Sequence, residues 1–191
     1  MDVRYQFAKW RAIGLLVLGR QDAACAVFNS LLGRWPDDAY ALASRAHLLT
    51  QQGDIQAALA DSQRLLVLRA THAGTWFNHG FMLEAAGRLA DAEAAFRRAT
   101  ELGPELDRAW YGLGLVLIRL QRYDEAVAAL RRNTELQPMS PYGWYQLARV
   151  HVDRHEPDEA VKIIRHLKGF EPKVAAQLER ETGLLIGHGG A

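Results

Sequence analysis

Residue types recur along this chain every 34 positions, and the period runs through five successive segments without an insertion. We call a set of positions that lie 34 residues apart a column. One column holds alanine in every segment, at Ala24, Ala58, Ala92, Ala126 and Ala160. Other columns of the same phase hold tryptophan, proline, small, turn-forming or bulky residues. A fixed period of this length is the signature of a repeat architecture. The repeats are residues 5–38, 39–72, 73–106, 107–140 and 141–174.

Each repeat has the pattern of two amphipathic helices joined by a short turn. In the fourth repeat, Trp110, Leu113, Gly114 and Leu117 lie three or four residues apart, which is the spacing of one helix face. A glycine in the turn column of three repeats favours a left-handed conformation. A proline then ends the second helix of most repeats. Because one such hairpin cannot bury its apolar stripe alone, the hairpins are expected to stack on one another.

The residue columns resemble the tetratricopeptide repeat. In the fourth repeat the resemblance rests on Trp110, Leu113, Gly114, Leu117, Ala126, Leu130 and Pro138. It covers about residues 5–174 and implies an all-α fold, a right-handed α-solenoid of five 34-residue helical hairpins. Single positions depart from the family pattern: Ala8 replaces the tryptophan of the first repeat, Ser62 replaces a large apolar residue, and His79 and His151 stand where the family has Leu and Tyr.

We predict that residues 1–187 form a single array of these repeats. Beyond the fifth repeat, a capping helix is expected over about 174–186, since Val174, Leu178 and Thr182 recur every four residues. Residues 187–191 are expected to be a flexible tail.

The first hairpin has no comparable cap before it. Phe7, Trp10, Ile13 and Leu16 are therefore expected to leave apolar surface exposed, which suggests a partner or a second copy of the chain.

Composition excludes several classes of function. The chain has 23 Lys and Arg against 22 Asp and Glu, and no repeat concentrates the basic residues into a stripe that could follow phosphates, so no nucleic-acid partner is predicted. Arg97-Arg98 and Arg131-Arg132 are expected to form local ion pairs with nearby glutamates. No apolar run approaches the ~20 residues of a membrane-spanning helix, so no membrane insertion is predicted.

The amino-terminal stretch has a basic segment before the apolar run 12–19, a layout similar to a secretory leader. Arg20, Gln21 and Asp22 interrupt the run, and the residues keep the repeat phase. We interpret the stretch as the first hairpin and predict a cytoplasmic location.

The candidates for catalysis or metal binding are few. Cys25 lies beside the alanine column and has the features of a packed thiol. His151 and His155 have a spacing that can bind a metal on one helix face, but His155 falls in the turn column, so the two rings are expected to diverge. With no phosphate-binding loop in the sequence, the chain is predicted to be non-enzymatic, with no cofactor and no metal.

The family resemblance also implies that the first helix of each hairpin lines a concave face. Thirteen residues are expected on it as peptide-binding residues: Lys9, Tyr40, His47, Phe77, Asn78, Phe81, Arg108, Tyr111, Leu115, Tyr142, Tyr145, Gln146 and Arg149. Tyrosine and arginine are residue types enriched at binding hot spots. We therefore predict a scaffold or adaptor that captures a peptide or helix with apolar anchors and some acidic character. Two alternatives are self-assembly through the amino-terminal hairpin and a secretion-type chaperone.

Overall fold

The computed structural model describes residues 2–184. Within that range the chain forms α-helices and no strand: α1 (Val3–Val17), α2 (Gln21–Arg34), α3 (Ala39–Gln51), α4 (Ile55–Leu68), α5 (Ala73–Ala85), α6 (Leu89–Leu102), α7 (Asp107–Arg119), α8 (Tyr123–Leu136), α9 (Pro141–Asp153), α10 (Pro157–Lys168) and α11 (Pro172–Thr182). Each predicted repeat contributes two consecutive helices, and α11 follows the fifth. The predicted all-α fold of five helical hairpins is confirmed.

The chain divides into two compact parts, which we call the N-terminal half, up to Ala95, and the C-terminal half, from Phe96 onward. In the N-terminal half, α1 packs on α2, α3 on α4, and the two hairpins meet through α2 and α3. Phe28, Leu31 and Leu42 are fully buried in this core. The alanine column of the sequence lies at the buried helix contacts, since Ala24 and Ala58 have no exposed surface.

Two departures from the family pattern meet in the N-terminal half. The hydroxyl of Ser62 on α4 lies 2.6 Å from Nδ1 of His79 on α5, and both side chains are buried. The equivalent pairs of positions further along the chain are apolar, namely Phe96 with Leu113 and Leu130 with Leu147. Burial is the main reason that the pKa of His79 is lowered, followed by the charge of Arg88.

Small residues bring the helices of the C-terminal half close together. A Cβ atom on Gly114 of α7 would lie 2.7 Å from Cγ of Leu130 on α8. The equivalent atom on Gly112 would lie 2.8 Å from the ring of Phe96. Since real Cβ contacts are not this short, both positions exclude larger residues in the observed packing. The small-residue column of the sequence thus sets the distance between α7 and α8.

The tryptophan and proline columns are linked by a hydrogen bond that repeats with the chain. The indole Nε1 of Trp76, Trp110 and Trp144 donates to the carbonyl oxygen six residues earlier, which belongs to Ala70, Pro104 and Pro138 at 2.7–2.9 Å. The acceptor is the backbone and not the proline ring, so Ala70 satisfies the same bond. The bond ties the loop before the third, fourth and fifth hairpins to the first helix of each.

The turn column has positive φ in all five repeats: Gly19 (69°), Gly53 (84°), Gly87 (74°), Gln121 (59°) and His155 (60°). After each of these residues, the next amide donates back across the end of the first helix, as Arg122 does to Leu117 at 2.9 Å. This is the left-handed ending that commonly terminates helices. Gln121 and His155 therefore adopt a conformation that favours glycine.

We expect His155→Gly and Gln121→Gly each to raise the free energy of unfolding by up to about 1 kcal/mol, because glycine has no Cβ to strain a positive φ. Gly87→Ala is the matched control and should lower it by a similar amount. Chemical denaturation monitored by circular dichroism measures all three. Destabilisation by both glycine substitutions would contradict the expectation.

The capping helix differs from the prediction of 174–186. It begins at Pro172 and ends at Thr182, because Gly183 takes a left-handed conformation (φ 70°) that terminates it. Its buried face consists of Ala175 and Leu178, whereas Val174 and Thr182 are only half-buried. Residues 185 and 186 of the predicted helix, and the predicted tail 187–191, lie outside the described residues.

The first hairpin exposes apolar surface, as predicted, but only two of the four predicted residues are exposed. Phe7 and Trp10 are 71% and 68% exposed. Ile13 and Leu16 are only half-buried, and Leu16 packs against the core of the first hairpins. Other exposed apolar residues of this hairpin, which its sequence pattern did not predict, are Val3, Val17 and Leu18. Among the described residues, no helix has the length and apolar character needed to cross a membrane.

Candidate functional site

The thirteen predicted binding residues all lie on first helices of the hairpins: α1, α3, α5, α7 and α9. None of them is buried. Those in the N-terminal half are Lys9, Tyr40, His47, Phe77, Asn78 and Phe81. Those in the C-terminal half are Arg108, Tyr111, Leu115, Tyr142, Tyr145, Gln146 and Arg149. The two sets are described separately.

In the N-terminal half, several predicted residues contact their own neighbours. Lys9 Nζ lies 4.3 Å from the ring centroid of Tyr40, a cation–π contact. The Tyr40 ring also packs edge-on against the buried Phe28, with centroids 6.0 Å apart. His47 bonds Gln51 one turn along α3. Tyr40 therefore contributes to the core as well as to the surface, while Phe81 is 49% exposed.

In the C-terminal half, four predicted residues converge on one cleft. Tyr111 of α7 and Tyr142, Tyr145 and Gln146 of α9 line a depression of about 280 Å³. The remaining lining residues, which the sequence did not predict, are Pro141, Val174 and Gln177. We call this depression the tyrosine cleft. It is bounded by α7, α9 and the capping helix α11.

A second depression adjoins the tyrosine cleft through shared walls. It encloses about 380 Å³ and contains Arg108 together with Tyr111 and Tyr142, which line both depressions. Its polar lining residues are Asp107, Asn133, Gln137 and Ser140. Tyr142 is 70% exposed, and its side chain lies between the two depressions and lines both of them. Leu115 is half-buried and lines neither of these two depressions.

The capping helix holds part of the tyrosine cleft in place. The Tyr145 hydroxyl donates to Oε2 of Glu181 at 2.5 Å, and Arg149 Nη1 lies 3.4 Å from the same oxygen. Gln177 donates to the other oxygen of Glu181 at 2.8 Å. The pKa of Glu181 is lowered, first by the bond from Tyr145 and then by that from Gln177. The sequence did not predict Glu181, because α11 has no counterpart in the repeat columns.

Tyr145 and Arg149 therefore have intramolecular partners. The bond to Tyr145 is the largest cause of the raised pKa of Arg149. Tyr145 keeps its ring in the cleft wall while its hydroxyl is engaged by Glu181. Of the predicted aromatic residues in this half, Tyr111 and Tyr142 are the two that face both depressions.

The residues considered for catalysis or metal binding do not assemble into such a site. Cys25 is half-buried, and desolvation is the main reason that the pKa of its thiol is raised, which disfavours the thiolate. His151 is buried and bonds Glu156 at 2.7 Å, while His155 lies exposed in the turn. The two side chains therefore lie in different environments, one buried and the other exposed. In the described part of the chain, no three His, Cys, Asp or Glu residues could together hold a metal ion.

The recurring arginine pairs form the local ion pairs that the sequence predicted. Arg98 pairs with Glu101 at 2.8 Å, and Arg132 contacts both Glu135 and Glu105. These carboxylates interrupt the positive charge along the second helices of the C-terminal half. The arrangement differs from the uninterrupted basic stripe of a phosphate-binding surface.

Comparison with known proteins decides the family. The family model of the tetratricopeptide repeat matches residues 11–73 and 83–141, well over half of the chain. The chain belongs to the tetratricopeptide-repeat family. The family predicted from the repeat columns of the sequence is thereby confirmed. No curated protein sequence matches it significantly.

Solved structures match this tetratricopeptide-repeat protein over nearly its whole length. A MamA crystal structure is 20% identical with a TM-score of 0.79, covering 100% of this chain and 98% of that one. A structure of MamA from residue 41 to the end, from Desulfovibrio magneticus RS-1, is 20% identical with a TM-score of 0.81. The match covers 95% of this chain and 98% of that one. YrrB is described as a protein of the same family with an unusual peptide-binding site. It is 17% identical with a TM-score of 0.76, and the match covers 94% of this chain and 92% of YrrB. At these identities the likeness shows the fold.

Proposed function

We propose that this protein is a non-enzymatic scaffold that captures a peptide segment in the tyrosine cleft of its C-terminal half. The observation that carries the proposal is the convergence of Tyr111, Tyr142 and Tyr145 with two amide side chains, Gln146 and Gln177, around one depression. Aromatic walls bury apolar anchors, and primary amides can bond the main chain of an extended segment. A peptide site on YrrB, a protein of the same fold, supports this class of ligand.

The chemistry of the two depressions suggests what the segment contains. An apolar side chain enters the tyrosine cleft, while a neighbouring carboxylate on the ligand reaches toward Arg108 in the adjoining depression. Tyr145 is held by Glu181 before any ligand arrives. Because that wall is already ordered, little conformational entropy is lost there on binding.

Simultaneous replacement of Tyr111 and Tyr142 by alanine tests the proposal. These residues line both depressions, so the double variant should weaken peptide binding by at least about tenfold, equivalent to ~1.4 kcal/mol. The partner segments are first identified by affinity capture with the wild type and mass spectrometry. Binding of a labelled segment is then measured by fluorescence anisotropy.

The control variant is Tyr123→Ala. It removes a tyrosine side chain at the start of α8, which lines neither depression. It should bind like the wild type, and circular dichroism should show the same helix content in all three proteins. A captured segment that binds the Tyr111 and Tyr142 double variant with wild-type affinity would remove the tyrosine cleft from the mechanism.

Two other roles predict different results in the same capture experiment. A secretion-type chaperone would retain an unfolded client from its native host, and binding would not depend on one short segment. A self-assembling protein would capture itself, and its oligomers would disappear when Phe7 or Trp10 is made charged. Light scattering and the identity of the captured chain separate these roles from the scaffold.

A further inference from the structure

The first hairpin has a cleft at a position where its sequence departs from the tryptophan column. Ala8 stands where the third, fourth and fifth repeats carry Trp76, Trp110 and Trp144. A depression of about 370 Å³ lies between α1 and α2 at this position. Its apolar lining includes Ala8, Val27 and Leu31. The cleft is lined on α1 by the exposed Phe7 and is distinct from the tyrosine cleft.

The outward face of α1 corresponds to surfaces that later repeats bury. The residues in the Phe7 column of the later repeats are all buried: Ala41, Thr75, Ala109 and Gly143. The residues in the Gly14 column are also buried: Leu48, Met82, Val116 and Val150. In three of these repeats the first helix packs on the second helix of the preceding hairpin, through α2·α3, α4·α5 and α8·α9. The face of α1 is therefore built to receive a helix, and Phe7 is 71% exposed there.

The charge around this cleft has one sign. Arg4, Arg11 and Arg34 line it, and none of its lining residues is acidic. Arg34 lies 3.6 Å from Asp2, while Arg4 and Arg11 form no side-chain ion pair within residues 2–184. Residues 2–34, which are the two helices, the turn between them and Asp2, carry five basic and two acidic residues. A ligand for this apolar, arginine-lined cleft should therefore carry carboxylates.

We propose that the first hairpin binds an acidic amphipathic helix of a partner protein. One large apolar side chain of that helix enters the cleft beside Ala8, and flanking carboxylates pair with Arg4, Arg11 and Arg34. The helix takes the position that the preceding hairpin occupies in later repeats. A second copy of this chain is the poorer occupant, because a two-fold contact between α1 faces would bring the same arginines together.

Selection from a peptide library tests this proposal with the full chain. The probe is a displayed library of 16-residue helices with Leu or Trp at every third or fourth position and random residues elsewhere. Selected peptides should be acidic, and their binding in fluorescence anisotropy should weaken at least about tenfold with added salt or in Arg4→Glu/Arg11→Glu. Ala8→Trp fills the cleft with the residue of later repeats and should abolish binding while leaving the helix content unchanged.

The tyrosine-cleft variant separates this site from the proposed function. Tyr111→Ala/Tyr142→Ala should bind the selected acidic peptides like the wild type. Selection of basic or neutral peptides, or equal binding to Ala8→Trp, would overturn the proposal. So would two results that point to other occupants: co-sedimentation with phosphatidylserine vesicles without any peptide selection, or a concentration-dependent dimer that Phe7→Glu dissociates.

Discussion

Replacing Asp61 by alanine is expected to lower the free energy of unfolding by about 3–5 kcal/mol. Asp61 of α4 is 4% exposed, and its two oxygens accept from Nε and Nη2 of Arg45 on α3 at 2.7 and 2.6 Å. The bond to Asp61 is the main reason that the pKa of Arg45 is raised. Removing the carboxylate leaves the guanidinium partly buried without its ion-pair partner, which costs more than the pair itself contributes.

The double variant Arg45→Leu/Asp61→Leu should recover most of the lost stability, because it removes both charges and fills the space with apolar groups. Asp37→Ala is the matched control, since the Asp37 carboxylate pairs with Arg64 at 3.3 Å with its side chain 75% exposed. That exposed pair should contribute less than about 1 kcal/mol. Urea denaturation measures the series, and equal losses from Asp61→Ala and Asp37→Ala would show that burial does not set the effect.

The repeat boundaries coincide with the starts of four first helices, whereas α1 begins at Val3, two residues before the first repeat. Helices α3, α5, α7 and α9 begin at residues 39, 73, 107 and 141, the first residues of four predicted repeats. The phase is informative because the turn residue has positive φ in all five repeats and ends the first helix of each hairpin. A proline lies two residues after the ends of α2, α6 and α8. A helix boundary in one repeat is therefore supported by the same residue type in others.

The repeat phase did not predict contacts between residues that belong to different columns. The repeat pattern made Ser62 and His79 look like two separate defects, whereas the structure joins them by a hydrogen bond. The tyrosine cleft shows the same limit: its tyrosines lie in repeat columns, but Glu181 and Gln177 come from a helix that has none. Periodicity predicts equivalent positions in successive repeats, and it contains no information on pairings that occur once.

Gly143 shows how one small residue allows α9 to pack on α8 beside the tyrosine cleft. Gly143 lies in the first turn of α9, and a Cβ atom there would overlap Oδ1 of Asn133 on α8. Asn133 is 6% exposed, and its Nδ2 donates to the carbonyl oxygen of Asp107 at 2.9 Å. An added methyl group must therefore displace a buried amide that already has a partner, or separate the two hairpins.

Gly143→Ala should lower the free energy of unfolding by about 2–4 kcal/mol, because overpacking and the loss of the Asn133 bond outweigh the better helix propensity of alanine. Gly14→Ala is the matched control: Gly14 lies within α1, and nothing lies within 4 Å of a Cβ built there. It should raise the free energy of unfolding by about 0.5–1 kcal/mol. Urea denaturation measures both variants. A stabilising effect of Gly143→Ala would mean that α8 and α9 separate readily, and the cleft beside them would then not be a rigid, pre-formed site.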